Sequence, residues 1–503
     1  MAESGQAFDT ALRNAVQIHV SGDVDQAIGL YHTLLDEHPD QPDLWHLLGV
    51  AAHQKDDNSL AVKLINIALS LKNDVADYHN NLGMALRGLG REAAAEQSFR
   101  SAITLNPRHP RALGNLARTC RHAGDTVAAL DYARQAAAIT GSDPEAYNNL
   151  GNTEKDAGLV DDSLASYQKA IELDPDFALA HWNLSLALLS AGRFNEGFRE
   201  MNWRWRWPKF PGRRPSFNQP RWTGDDLNGR TLLLYPEQGL GDMLFMLRFA
   251  PALKSTGSHV ILELPEALIP IAEESHLADE ILGPEGNRSP FDVHAALMDI
   301  PRLCELSGPD LFSPTPYIRV PSHRHVIWQN KLSHYKGLKI GLNWCGNPSS
   351  PVEKRRRLPL DQLMSLAEDT RIIWFSLQKG ETPASPLPAD FPIIDTGPAS
   401  LEDTAGMISA LDLVITSDTA VAHLAGALGK PVWVLLHHDP DWRWSGKKTT
   451  PWYPSARLFR QTSPGDWTAV FTAVRADLNH GLRAMTDQRN FGNFGRTGIT
   501  NRY

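Results

Sequence analysis

The sequence predicts an α-solenoid followed by two consecutive α/β units. Three observations carry that expectation. Small and apolar residues recur with a 34-residue period through the N-terminal part of the chain. A proline-rich, tryptophan-rich stretch then breaks the pattern. Beyond it, continuous apolar runs alternate with amphipathic segments, as buried parallel strands alternate with helices.

The period is explicit. Leu48-Gly49, Leu82-Gly83, Leu116-Ala117, Leu150-Gly151 and Leu184-Ser185 occupy one phase. Ala61, Ala95, Ala129 and Ser163 hold a second phase, and Ala68, Ala102, Ala136 and Ala170 a third. Pro39, Pro107 and Pro175 fall near the unit ends, and an earlier unit fits around Ala15, Ala27 and Tyr31. This is the tetratricopeptide (TPR) pattern of two helices per unit, with small residues where the helices approach most closely. A single unit cannot bury its apolar face, so neighbours stack into a superhelix. About six units are expected over residues 8–211, the last one degenerate.

A polar feature shares the period. Asn81, Asn115, Asn149 and Asn183 each stand two residues before a small residue. Identical phase places them on the first helix of their units, along one line of the superhelix. A carboxamide both donates and accepts, so it pairs with a peptide backbone whatever the side chains are. The alternative is that these residues tie neighbouring repeats together.

Composition sets the outer bounds. A chain of 503 residues holds about two to four domains. With 42% apolar and 21% charged residues it can bury ordinary cores. The net charge of −9 gives no reason to expect nucleic acid as a partner. Cys120, Cys304 and Cys345 are odd in number and far apart, which points to reduced thiols and a cytoplasmic location. The opening MAESGQAFDT lacks the basic and apolar regions of a signal peptide. No apolar run approaches the ~20 residues of a membrane span, which leaves only peripheral membrane association open.

The join reads NWRWRWPKFPGRRPSFNQPRW from residue 202 to residue 222. Its prolines forbid a continuing helix. Its arginines and tryptophans suit either packing between domains or contact with an acidic surface, and packing is the favoured expectation. The expected organisation is repeats over 8–211, a linker over 212–228, a first α/β lobe over 229–335, a second over 336–480, and a polar tail over 481–503.

In open parallel sheets, ligands bind beyond the carboxyl ends of strands. Three turns fall there. EQGLGDMLF places Gly239 and Gly241 in a turn that allows close backbone approach, with Asp242 opening a helix. Leu244 stands where a dinucleotide fingerprint needs its third glycine. Asp242 suits either a dipole-complementing carboxylate or a general base. ITSDTAVAHLAGALGKPVWVLL turns at Ser417-Asp418-Thr419 into a helix of small residues, whose first N–H groups suit an anion. His423 lies one turn in. CGNPSSPVEKRRRLPL places Lys354, Arg355, Arg356 and Arg357 after a strand, where a guanidinium can clasp a diphosphate.

Residues 229–480 resemble the ADP-heptose heptosyltransferase group of GT-B glycosyltransferases, closest to a bacterial subgroup carrying that domain behind TPR repeats. The matches are Gly241-Asp242, Ser400-Leu401-Glu402, and Ser417-Asp418-Thr419 with His423. The resemblance implies a GT-B fold of two Rossmann-like domains and an inverting transfer, with Asp242 as base. Asp418, Thr419 and Ala420 would hold donor sugar and diphosphate, with His423 close by. Arg356 would bind phosphate, with Arg355 and Arg357 as alternatives. Asn343, Trp344 and Gln378 would line the nucleotide pocket. Ala420 replaces a usual glycine, and HHDPDWRW departs from the family's loop.

The asparagine ladder resembles that of O-linked N-acetylglucosamine transferases, where groove asparagines hold an acceptor polypeptide. The combined expectation is a nucleotide-sugar donor and a protein acceptor, such as a secreted or flagellar protein. No cofactor is expected. No metal is expected either, because a helix N-terminus plus Arg can stabilise a leaving diphosphate. The alternatives are a lipopolysaccharide or lipid-linked acceptor, and a non-catalytic scaffold.

Overall fold

The computed structural model describes residues 2–254, 257–284, 288–312, 315–350, 352–379 and 390–487. Residue contacts divide the chain into two compact units, residues 1–183 and 184–503.

The first unit is helical throughout. It comprises α1 (Ala2–Val20), α2 (Val24–Glu37), α3 (Pro42–Gln54), α4 (Asn58–Leu71), α5 (Ala76–Gly88), α6 (Glu92–Leu105), α7 (Pro110–Ala123), α8 (Thr126–Thr140), α9 (Pro144–Asp156) and α10 (Val160–Leu173). Asp23, Asp57 and Asp125 each accept the backbone N–H three residues on, which caps α2, α4 and α8. Pro42, Pro110 and Pro144 open first helices, where a missing N–H is harmless.

The small residues are explained by their partners. A Cβ on Gly49, Gly83 or Gly151 would fall 2.5–2.7 Å from the side chain of Ile65, Phe99 or Tyr167. The unit that carries Ala117 instead of glycine carries the small Ala133 at the facing position, and both are buried. Volume is therefore traded within each helix pair, as dense packing demands.

The boundary between units falls within α11 (Ala178–Ser190), so most of the last expected repeat belongs to the second unit. There α12 (Phe194–Met201) packs on the short helix Ile300–Leu303.

The second unit contains two parallel sheets. The first has the order β3-β2-β1-β4, from β1 (Thr231–Tyr235), β2 (His259–Glu263), β3 (Glu280–Leu282) and β4 (Val293–Ala296). The segment FDVHAALMDI supplies β4, paired in parallel with β1. The second sheet has the order β10-β9-β8-β5-β6-β7. Its strands are β5 (Leu338–Asn343), β6 (Ile372–Ser376), β7 (Ile393–Ile394), β8 (Leu413–Ser417), β9 (Val432–Leu436) and β10 (Ala456–Arg460). The final helix, Thr468–Asp487, lays Val470, Phe471, Val474 and Leu478 into that sheet's core, with Trp467 just before it. It runs past the expected boundary at 480, because Leu482 continues the apolar stripe into the same core. Residues 488–503 of the expected tail lie outside the described residues.

The join packs inward, within the second unit. Arg204 is buried and ion-paired with Glu237 at 2.8 Å and Asp299 at 2.9 Å. Arg221 lies 4.0 Å from the centre of the Trp205 ring.

Candidate functional site

Asp242 stands in the first turn of α13 (Leu240–Met246), just beyond β1. Helix Ala420–Ala427 stands just beyond β8, in the other sheet. The two helices pack directly on each other. Gly241 makes this contact possible. A Cβ there would lie 3.0 Å from the His423 ring and 3.6 Å from the Ala420 Cα. Gly239 and Gly241 are not in the left-handed region, so the glycine at 241 serves close approach between lobes and not an unusual turn. The same packing accounts for the small residues of Ala420–Ala427, with Tyr453 lying over Gly426.

Asp242 is partly buried and ion-paired with Arg443 at 2.8 Å. Its carboxyl is raised above the usual range by burial, which outweighs the nearby Arg443. Arg443 also reaches Asp441 at 2.9 Å. Asp418 accepts the Trp444 indole N–H at 2.8 Å. Burial and the neighbouring Asp441 charge push its carboxyl up to about 6.

The backbone of the late turn is held from two sides. Arg356 donates to the Asp418 carbonyl at 2.9 Å and to Glu353 at 2.7 Å. Arg356, the first choice among the three arginines, is hydrogen-bonded to this turn. Thr419 precedes the helix in an extended conformation without capping it. Its hydroxyl donates instead to Asn343 Oδ1 at 2.9 Å, as Thr416 does at 3.1 Å. Asn343 in turn donates to Gln378 Oε1 at 3.0 Å. This network ties the ends of β5, β6 and β8 into one floor. Asn343 and His423 thus face protein groups and frame the site. The His423 ring is buried against Trp444 and hydrogen-bonded to Tyr453 at 3.0 Å. Burial and the arginines Arg443, Arg248 and Arg356 keep it neutral, far below its usual pKa.

Among the polar atoms buried here without a hydrogen-bond partner among the described residues are Ser417 Oγ, Trp344 Nε1 and Arg443 Nε and Nη2, the last held to Asp242 as an ion pair. Ser400 has a local role, since its hydroxyl caps helix Leu401–Ala410 at the Asp403 N–H.

Sequence reasoning missed Asp441, Arg443 and Trp444 as site residues. The visible signal was the departure HHDPDWRW itself, set aside as a difference from relatives. It also missed a cavity of about 230 Å³ in the first lobe, lined by Arg221, His294, Asp299 and Arg302 among others. The Leu297–Asp299 turn beneath it packs against α13. Among the described residues, no group of three or more His, Cys, Asp or Glu side chains is placed to hold a metal ion. No described helix is long and apolar enough to cross a membrane.

In the repeats, the ladder asparagines bond backwards. Asn81 donates to His46 at 2.8 Å, Asn115 to Asn80 at 2.9 Å and Asn183 to Asn148 at 2.8 Å. Burial lowers the His46 pKa to about 4, so its ring is a neutral acceptor. Asn149 is exposed, and the equivalent preceding residue is Gly114, which has no side chain to pair with it.

Helical repeats followed by two parallel sheets define a solenoid joined to an α/β unit. Comparison with known families agrees. Tetratricopeptide repeats match residues 20–76, 80–144 and 151–192, and glycosyltransferase family 9 (heptosyltransferase) matches residues 379–466. The chain therefore carries TPR repeats and a family 9 glycosyltransferase domain. It is similar to Protein FlbA of the bacterium Caulobacter vibrioides, 26% identical over 354 residues. That match covers 64% of this chain and 59% of FlbA, so the chain spans less than two thirds of its relative's length. Solved structures are similar over part of the chain. TTC0263 of Thermus thermophilus is 23% identical, covering 36% of this chain and 99% of that one, with a TM-score of 0.33. PilF of Pseudomonas aeruginosa is 18% identical, covering 40% and 90%, with a TM-score of 0.36.

Proposed function

We propose that the chain is an inverting, metal-independent glycosyltransferase that moves a sugar from a nucleotide-activated donor to a hydroxyl of a polypeptide acceptor. The observation that carries this is the packing of Gly241, beside Asp242, on Ala420 and His423, which lie within the segment that matches family 9. In this reading the donor diphosphate meets the uncapped N–H groups of helix Ala420–Ala427, and Arg356 rigidifies the turn from behind. Ser417 Oγ and Trp344 Nε1 offer polar atoms to the donor. Asp242 removes the acceptor proton as the hydroxyl attacks the anomeric carbon, and the nucleotide leaves on the opposite face. The acceptor approaches over the first lobe, past the Arg221–Arg302 cavity. The repeats hold the remainder of the acceptor, with Asn149 the ladder carboxamide most open to a peptide backbone.

The test has two steps. Thermal shifts with UDP, ADP, GDP and CMP should single out one nucleotide, whereas no stabilisation by any of them would favour a scaffold without activity. With that donor, Asp242→Asn should lower transfer by ~10²–10⁴-fold in a folded protein. Wild-type transfer would remove the base assignment. Activity lost to a chelator and restored by a divalent ion would remove metal independence.

A further inference from the structure

We propose that Arg443 is the positioning residue for Asp242, holding its carboxylate ionised and aimed across the cleft, and that Asp441 tunes how much of the arginine's charge Asp242 receives. This rests on Asp242 being the base.

The geometry is specific. Arg443 is 4% exposed. One terminal nitrogen lies 2.8 Å from Asp242 in the first lobe, and the other lies 2.9 Å from Asp441 on its own loop. Asp441 also accepts the Arg443 backbone N–H at 3.0 Å, which fixes the loop under the side chain. The guanidinium carbon lies 4.7 Å from the Phe245 ring centre and 4.4 Å from that of Trp442. Flat contact on aromatic faces restrains the plane of the fork, which a lysine ammonium would not feel. Phe245 lies on α13 itself, so the base and its cation are set by the same helix. Trp444 reaches the other motif carboxylate, Asp418. The stretch 441–444 therefore grips both aspartates, one from each lobe.

The charge logic follows. A buried carboxylate tends to protonate, and a protonated Asp242 cannot take a proton from the acceptor. A guanidinium in contact opposes this. The other groups around Asp242 do not replace Arg443. His423 is held neutral. Arg356 donates to the Asp418 carbonyl, and Arg248 donates to the Trp452 carbonyl. Asp418 is held by Trp444. Asp441 competes for the same guanidinium, so its charge acts on Asp242 in the opposite sense.

Two substitutions must then move the acid limb of the rate profile in opposite directions. The measurement is nucleotide release from pH 5 to pH 9, with water as acceptor. The donor is whichever of the UDP-, ADP-, GDP- and CMP-sugars the chain turns over. Arg443→Gln should raise the acid limb by about 1–3 pH units, the usual effect of removing a contacting opposite charge. Asp441→Asn should lower it. Arg443→Lys should keep the limb near its wild-type position while lowering the rate, because charge is retained and aim is lost. If Arg443→Gln fails to fold, the downward shift of the half-exposed Asp441→Asn still carries the test. An unshifted limb in Asp441→Asn and in any folded Arg443→Gln, with Asp242→Asn inactive, overturns the role of Arg443 and leaves the base assignment standing. Wild-type turnover by Asp242→Asn overturns both.

Discussion

The repeats and the α/β unit satisfy buried polar side chains in opposite ways. In three of the repeats, an asparagine finds its partner 35 residues earlier in sequence, a histidine once and an asparagine twice. In the α/β unit the decisive pairs are made once: Arg443 with Asp242, Trp444 with Asp418, Arg356 with the Asp418 carbonyl. Repetition makes a network in which one broken rung leaves the others intact, as expected where each unit contacts only its neighbours. Convergence makes a network in which one loop supports several roles at once. The two regions should therefore respond very differently to single substitutions.

The largest expected effect lies at the convergent site. Arg356→Met removes both the bond to the Asp418 carbonyl and the ion pair to Glu353, which is 2% exposed and would keep the Gly346 N–H and the half-buried Arg357. Breaking a buried pair from one side is expected to destabilise by ~3–5 kcal/mol. Chemical denaturation should show that loss, and transfer should fall with it. A stability within ~1 kcal/mol of wild type would mean that the turn is held by the Asn343 network alone.

Asp418 offers a sharper probe, because its sign is unusual. Its carboxyl is pushed up to about 6 in the folded chain, from an ordinary value of 3.8. A raised carboxyl binds its proton more tightly in the folded state, so stability falls as pH rises from about 4 to 6 and stays lower above that. Asp418→Asn should therefore melt higher than wild type at pH 8 and near it at pH 4, by on the order of 1–3 kcal/mol. The asparagine Oδ1 can still accept from Trp444. Transfer should nevertheless drop, since the donor turn loses its carboxylate. Equal melting temperatures at both pH values would show that Asp418 carries no strain.

Much of this molecule was legible because period and burial are written into residue size. Gly83 opposite Phe99, and Ala117 opposite Ala133, follow from a 34-residue repeat that any register error would spoil. The β8 turn and Asp242 were legible because parallel sheets place ligands at strand ends. Arg443 was not legible, because its partner lies in the other lobe and no spacing announces it. Nor was the purpose of Gly241, which serves His423 and Ala420 across the lobes. The close approach expected at that glycine is present, but the sequence did not say what approaches it. The extent of the final helix was missed at Leu482, where one more apolar turn meets the core.

Within the repeats the effects should be smaller and more graded. Gly83→Ala forces a methyl against Phe99, at 2.5 Å from its ring. Overpacking of this kind is expected to destabilise by ~1–3 kcal/mol. Pairing it with Phe99→Leu should recover part of the loss, because the Ala117 unit shows that size can be exchanged across this contact. Failure to recover would mean that neighbouring units fix the spacing from outside.

The smallest effect separates two readings of the asparagine ladder. Asn115→Ala removes the bond to Asn80 and those accepted from Arg87 and Arg118, and should destabilise the repeats by about 1 kcal/mol. Asn149→Ala should leave stability unchanged, because Asn149 is exposed and Gly114 offers no side chain for it to bond. If the ladder serves only to join repeats, Asn149→Ala should then be silent in every assay. If it also reads an acceptor backbone, Asn149→Ala should raise the acceptor KM several-fold with kcat unchanged, the signature of lost uniform binding. A substitution with no stability effect removes the ambiguity that any other rung would carry. Asn149 is therefore the position at which acceptor binding and repeat assembly come apart.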